Sequence, residues 1–138
     1  TLKQSTQLQK TNGKEINMKV SHNNVVMFLE ADGFKSSDGM CSDNSDIAYY
    51  RRTKHNDTKD CLCNDKTPQI VIKGYSFKLP DSTRYSYEIE LIQENDLGWV
   101  NLSFYGLSED QLITNLPKYE AALIRAWEAT FNVKGELK

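Results

Sequence analysis

Three cysteines and two histidines are the residues whose types and spacing are most readily suited to chemistry. His55 precedes the Cys61-x-Cys63 pair by six positions, and Cys41 stands alone earlier in the chain. Thiolate and imidazole groups are the ligands that zinc prefers, and four of them complete a tetrahedron. The candidate metal ligands are therefore Cys41, His55, Cys61 and Cys63.

The irregular spacing of these residues weakens the zinc interpretation. Structural zinc sites usually place ligands roughly two to four residues apart at each end, and only Cys61 and Cys63 form such a pair. A predicted strand separates Cys41 from the others, and a disulfide from Cys41 would require an oxidising compartment. A catalytic Cys–His pair would lack an orienting third group. We predict free thiols and no cofactor, with structural zinc as the alternative.

The stretch 49–55, Tyr-Tyr-Arg-Arg-Thr-Lys-His, interleaves aromatic rings with cationic groups. Single-strand nucleic-acid binders use this combination to stack bases and follow phosphates. The same composition is typical of an edge strand that charged side chains protect from pairing. The candidate nucleic-acid contacts are Tyr49, Tyr50, Arg51, Arg52, Lys54 and His55.

The remaining polar patterns do not indicate an enzyme. Glu88 and Glu90 are next-but-one neighbours on a predicted strand, about 7 Å apart, as acid–base carboxylates can be. A half-buried strand also exposes such a row of polar residues to water, and we expect a solvated face here. The chain has no glycine-rich phosphate loop and no Gly-x-Ser-x-Gly turn.

Aromatic residues on the outer side of a predicted strand suggest a surface for protein contacts. Trp99 and Tyr105 alternate with Val100, Leu102 and Phe104, which are expected to face the core. Exposed aromatic rings are enriched at interfaces because they bring area at little entropic cost. The interface candidates are Trp99, Tyr105, Tyr50 and Tyr75. Alternatively, the N-terminal arm or the first helix covers this side of the sheet.

Alternating patterns predict about four strands, at 46–52, 69–79, 84–93 and 99–105. The last two are joined by a short connection, which predicts an antiparallel hairpin. Gly74 interrupts the alternation of the second strand, so a bulge or bend is expected there. Helical spacing between Val25 and Leu29 predicts a short helix that Gly33 ends, and the alternative is a strand followed by an Asp32-Gly33 turn.

The C-terminal quarter carries a strong helix-start signal. Ser108 precedes Gln111 by three residues, as in a capping box, and Leu107 and Leu112 occupy the two positions of a hydrophobic staple. Pro117 lacks the amide hydrogen that an uninterrupted helix requires, which predicts two successive helices with a kink or a fresh start between them at Asn115 or Leu116. Their apolar stripe matches the apolar face of the hairpin. The predicted fold is α+β, with this Pro-interrupted helix pair on one face of the antiparallel sheet and a short N-terminal helix.

The 138 residues suit a single domain, which we expect at 18–138 after a mobile or loosely packed arm at 1–17. A formal charge of −2 provides no field to attract nucleic acid or a membrane surface, and no apolar run is long enough to cross a bilayer. The odd number of cysteines favours a reducing, cytoplasmic location.

We therefore predict a small non-catalytic cytoplasmic protein that acts through protein–protein contacts. Self-association through an exposed sheet face or edge is the expected form of these contacts. The alternatives are a single-stranded nucleic-acid-binding module centred on 49–55 and a structural domain stapled by zinc. No membrane partner is expected.

Overall fold

The computed structural model describes residues 22–37, 45–53 and 68–138, where the chain forms an α+β fold as the sequence predicts. None of the helices in these ranges is both long and apolar enough to span a membrane. The elements in chain order are α1 (Asn23–Ala31), β1 (Lys35–Ser36), β2 (Ile47–Arg52), β3 (Gln69–Lys78), β4 (Thr83–Asn95), β5 (Gly98–Leu107) and α2 (Glu109–Thr130).

The five strands form one antiparallel sheet in which each strand pairs with its neighbours in the chain, in the order β1-β2-β3-β4-β5. Tyr49 of β2 is aligned with Ile72 of β3, which is aligned with Ile89 of β4. The sequence predicts about four strands, and the additional strand is β1. Its two residues are too few to show an alternating pattern, so its pairing with Tyr49 and Tyr50 could not be predicted.

Both helices lie on the same side of the sheet, which we call the inner face, and the opposite side is the outer face. Side chains alternate between the two faces along each strand, so one set of apolar residues meets the helices. Burial of such side chains is the main stabilising contribution, about 1.5–3 kcal/mol for each large one. The buried core consists of Val25, Leu29, Phe34, Ile47, Tyr49, Ile70, Ile72, Tyr87, Ile89, Leu91, Leu107, Leu112, Leu116, Leu123 and Trp127.

Gly74 does not cause a bulge, one of the two irregularities that the sequence suggests. β3 pairs without a register shift with β4 from Gln69 to Lys78 and with β2 from Gln69 to Gly74. A Cβ atom at this position would lie 2.8 Å from Cγ1 of Ile47 and 3.0 Å from Cε1 of Tyr87. Glycine therefore allows these two core side chains to approach each other across the centre of the sheet.

Helix α1 ends as predicted. Gly33 adopts φ +90°, and the amide of Phe34 donates a 2.9 Å hydrogen bond to the carbonyl of Leu29. This arrangement satisfies carbonyls at the helix end and folds Phe34 back into the core.

Helix α2 begins at the predicted capping box but is a single helix rather than a pair. The Ser108 amide donates to Oε1 of Gln111, whose amide donates to Oγ of Ser108, at 2.9 and 3.0 Å. The predicted interruption is wrong because the helix continues through Pro117 to Thr130. Pro117 lies on the exposed side of the helix, where water can replace the lost hydrogen bond to the Ile113 carbonyl.

Candidate functional site

The β4–β5 hairpin positions the aromatic residues that the sequence singles out. A two-residue turn, Asp96-Leu97, joins the strands, and the Asn95 side chain accepts a 2.7 Å hydrogen bond from the Leu97 amide. Gly98 follows with φ +137°, a conformation that other residues rarely adopt. The turn fixes the pairing of Trp99 with Glu94, and therefore the face on which every following residue of β5 lies.

The two faces of β5 differ in their surroundings. Val100 and Leu102 pack against the core, and the Phe104 ring lies 4.9 Å from the Tyr119 ring of α2, centroid to centroid. On the outer face Trp99 is 61% exposed and Tyr105 is 80% exposed. The inner residues thus hold β5 on the domain, while the outer aromatic rings are left largely in water.

A bulge modifies the last part of β5. Tyr87 pairs with Leu107 and Ile89 pairs with Phe104, so Tyr105 and Gly106 together face the single residue Glu88. Gly106 supplies φ +70°, which a bulge of this kind requires. The regular part of the strand therefore extends from Gly98 to Phe104.

The outer edge of β5 is open to pairing within the described part of the chain. β5 is the last strand of the sheet, and no described residue pairs with its outer edge. Its ten residues, Gly98–Leu107, include no charged residue and no proline. Edge strands are normally protected by these residue types, by bulges or by being very short, and of these devices β5 has the bulge at its end alone. β1 at the opposite edge shows such protection, because it has two residues and one is Lys35.

Glu90 shows that the outer face is not simply solvated, contrary to the expectation for Glu88 and Glu90. Its side chain is only 4% exposed, and it lies 3.3 Å from Nζ of Lys73 and accepts a 2.7 Å hydrogen bond from Nδ2 of Asn101. Glu88 accepts a 3.0 Å hydrogen bond from the Tyr75 hydroxyl. Each carboxylate is therefore bound by a neighbouring strand, and their contacts link β3, β4 and β5.

The other two interface candidates are less accessible than Trp99 and Tyr105. Tyr50 and Tyr75 are half-buried on the outer face. Ala48 and Val71, near the centre of this face, are both buried. Helix α1 does not cover the outer face, because it packs on the inner one. The predicted N-terminal arm, 1–17, lies outside the described residues. Of the four interface candidates, the two on β5 therefore expose the most aromatic surface.

Of the stretch 49–55, Tyr49 and Arg51 lie on the inner face of the sheet, whereas Tyr50 lies on the outer face. Tyr49 is buried on the inner face and donates a 3.0 Å hydrogen bond to Glu30. Arg51 forms ion pairs with Asp32 and Glu120, and its guanidinium lies 4.3 Å from the Phe34 ring centroid. Both contacts hold the helices against β2 and leave little of either residue for stacking on a base.

The remaining residues of the nucleic-acid and zinc hypotheses can be placed only in part. Tyr50 lies on the outer face, opposite to Tyr49, and Arg52 is within β2. Within the described ranges, no three metal-binding side chains gather at one point. Both hypotheses stay predictions, because their other residues lie outside the described part of the chain, namely Cys41, Lys54, His55, Cys61 and Cys63.

A buried polar cluster at His22 escaped prediction from the sequence. His22 is the N-cap residue of α1 and is completely buried. Its Nδ1 lies 2.7 Å from the Tyr87 hydroxyl, and its Nε2 lies 2.8 Å from Oδ2 of Asp46. Both ring nitrogens of the buried imidazole therefore have a hydrogen-bond partner. Burial is the main reason that the pKa of Tyr87 is raised, so this hydroxyl keeps its proton.

Nothing in sequence spacing connects these three residues, since 65 positions separate His22 from Tyr87. The only available signal was the isolated histidine before an apolar helix. The cluster joins α1, the start of β2 and β4, and we interpret it as structural.

Comparison with known proteins supplies no relative. No protein-family model, curated protein or solved structure matches the chain. Function is therefore inferred from β5 and the residues around it.

Proposed function

We propose that this chain is a non-catalytic protein that acts through protein–protein contacts and forms a homodimer by pairing β5 with β5 of a second copy. The observation that supports the proposal best is the contrast between the two sheet edges. β1 is short and carries a lysine, whereas β5 has ten residues without a charge or proline. Unprotected edges of this kind pair with other strands.

A second copy suits this edge because the strand is uncharged. Two identical strands that carry charges of one sign would bring like charges together, which destabilises cross-strand pairs. β5 avoids this repulsion, and its outer aromatic rings offer apolar area to an identical partner. Pairing of identical surfaces about a twofold axis is also the commonest way in which proteins form dimers. The odd number of cysteines supports a cytoplasmic location for this dimer.

The aromatic residues provide part of the area that a dimer needs. With 61% and 80% of their surfaces exposed, Trp99 and Tyr105 each offer on the order of 150 Å². Pairing of the two strands brings the neighbouring sides of four such rings together and covers part of this area, which counts towards the ~1,200–2,000 Å² that specific interfaces bury. The strand backbones and the residues between the aromatics add to this area.

Sedimentation equilibrium over a wide concentration range tests the proposal. We expect a species of twice the 15.8 kDa chain mass that dissociates on dilution. Trp99→Ala should weaken the dimer by about 30-fold or more, since a central aromatic contact contributes about 2 kcal/mol or more. The control is Phe77→Ala, which removes an exposed aromatic side chain of β3 and should leave the dissociation constant unchanged. Equal effects of the two substitutions would refute the role of β5.

A further inference from the structure

The side chains of β5 also specify how two copies would align. Building on the proposed β5 dimer, we propose an antiparallel pair of β5 strands in which Leu102 lies directly opposite Leu102 of the second copy. The twofold axis then passes through the sheet at this residue. The geometry of antiparallel pairing and the order of side chains along β5 support this register.

Symmetry leaves few possible registers. Directly opposed residues in an antiparallel pair point to the same face of the sheet. A twofold axis that relates antiparallel strands is perpendicular to the sheet, so each face continues into the same face of the partner. The axis must therefore lie where a residue faces the same residue of the second copy, and not where it faces the next residue of the sequence. Within the regular part of β5, the central candidates are Asn101, Leu102 and Ser103.

With the axis at Leu102, each residue from Trp99 to Tyr105 faces a residue of similar chemistry in the second copy. On the outer face this register opposes Trp99 to Tyr105 of the second copy, and Asn101 to Ser103. On the inner face it opposes Val100 to Phe104. Aromatic pairs, polar pairs and apolar pairs of this kind each stabilise neighbouring strands. The strand is thus complementary to itself when it is reversed about this residue.

The neighbouring registers lose this match. An axis at Asn101 opposes Trp99 to Ser103 and leaves Tyr105 beside Leu97 of the turn. An axis at Ser103 opposes Tyr105 to Asn101 and moves Trp99 beyond the bulge. Either shift moves the two exposed aromatic rings from directly opposed to diagonal positions, where their contact is smaller. The register at Leu102 is the one that places Trp99 directly opposite Tyr105.

Two charged double variants test the register. Asn101→Lys with Ser103→Glu places a lysine opposite a glutamate twice in the proposed dimer. Asn101→Lys with Ser103→Lys places lysine opposite lysine twice. The Asn101→Lys change is common to both variants, so the loss of the hydrogen bond between Asn101 and Glu90 is matched. In the other two registers, both variants bring like charges together at the axis residue.

Sedimentation equilibrium at low salt should give a dissociation constant at least about tenfold lower for the Lys/Glu variant than for the Lys/Lys variant. The difference should shrink in 1 M salt, since exposed charges are then screened. Overall charge works in the opposite direction, because the Lys/Lys variant brings the formal charge of −2 to zero. Ser103 is aligned with Glu90 of the same chain, so Ser103→Glu adds a like-charge pair within the chain that Ser103→Lys lacks, and circular dichroism checks that both variants keep the wild-type fold.

The outcomes separate the register from the proposed function. Suppose that the wild type dimerises, that Trp99→Ala dissociates it, and that both charged variants dimerise equally weakly. This result would overturn the register and leave the proposed β5 dimer intact. Dimers of wild-type strength in both variants would overturn the use of β5 itself. A wild-type chain that is monomeric at every concentration would overturn both.

Discussion

Replacement of His22 by leucine should destabilise the fold strongly, although it exchanges a polar core residue for an apolar one. The imidazole is completely buried and lies within hydrogen-bond distance of the Tyr87 hydroxyl and the Asp46 carboxylate. Leucine has a comparable volume, so loss of packing contributes little. The effect should come from the two polar groups that lose their partner.

The magnitude follows from the burial of those two groups. Tyr87 is 1% exposed, and a buried hydroxyl without a partner costs about 1–3 kcal/mol. Asp46 is 8% exposed at its side chain, and a carboxylate that loses a buried partner costs more than a neutral group. Some hydration of Asp46 reduces this cost. We expect a loss of about 3–5 kcal/mol, a large part of the stability of an ordinary domain.

Urea denaturation followed by circular dichroism measures this loss. The Asn23→Leu substitution at the adjacent exposed helix position is the control and should change stability by less than about 0.5 kcal/mol. The double variant His22→Leu, Tyr87→Phe should be more stable than the sum of the single effects implies, since it removes the orphaned hydroxyl. A His22→Leu protein within about 1 kcal/mol of the wild type, or strict additivity with Tyr87→Phe, would refute the reasoning.

Two further predictions concern the core. Gly74→Ala should lower the free energy of unfolding, measured by urea denaturation, by about 1–3 kcal/mol, because the new Cβ would overlap Ile47 and Tyr87. An unchanged free energy would contradict the close contact of these two side chains with Gly74. Burial and the Glu30 carboxylate raise the pKa of Tyr49 to about 12 from 10.0. The stability that the protonated Tyr49 hydroxyl provides is complete below pH 10. The free energy of unfolding then falls by about 1.4 kcal/mol per pH unit as the pH rises towards 12, because Tyr49 ionises first in the unfolded chain. Tyr49→Phe should reduce the loss of unfolding free energy with pH above pH 10. An unchanged slope would contradict the assignment of this loss to Tyr49.

Local patterns predicted the parts of the fold that local interactions determine. Ser108 and Gln111 satisfy each other's amides, so three positions of sequence suffice to mark the start of α2. Gly33 at the end of α1 is another local feature, since its conformation is set within one turn. The alternation of Trp99 with Val100 and of Tyr105 with Phe104 also assigned the faces of β5 as the structure has them.

The missed features depend on contacts between distant residues. The burial of Glu90 requires Lys73 and Asn101 from the two neighbouring strands, and a row of polar residues gives no sign of this. The helix continues past Pro117 because the surrounding turns of α2 are held against the sheet, which outweighs the local penalty. The position of His22 is set in the same way by Tyr87, which lies far along the chain.

The two edges of the sheet suggest how the proposed self-association would be confined to one side. β1 offers two residues to a partner and presents Lys35, so it is a poor template for a further strand. β5 offers ten residues, and the bulge at Tyr105 and Gly106 ends its regular part. One protected edge and one open edge favour a closed dimer over an extended fibre.

The most direct test compares the molecular mass of the wild-type chain with that of a Trp99→Ala, Tyr105→Ala double variant by sedimentation equilibrium. Pairing of β5 predicts a dimer for the wild type and, at the same concentration, a 15.8 kDa monomer for the folded variant. A wild-type chain that remains at 15.8 kDa at every concentration, or a double variant that dimerises as tightly as the wild type, would contradict it.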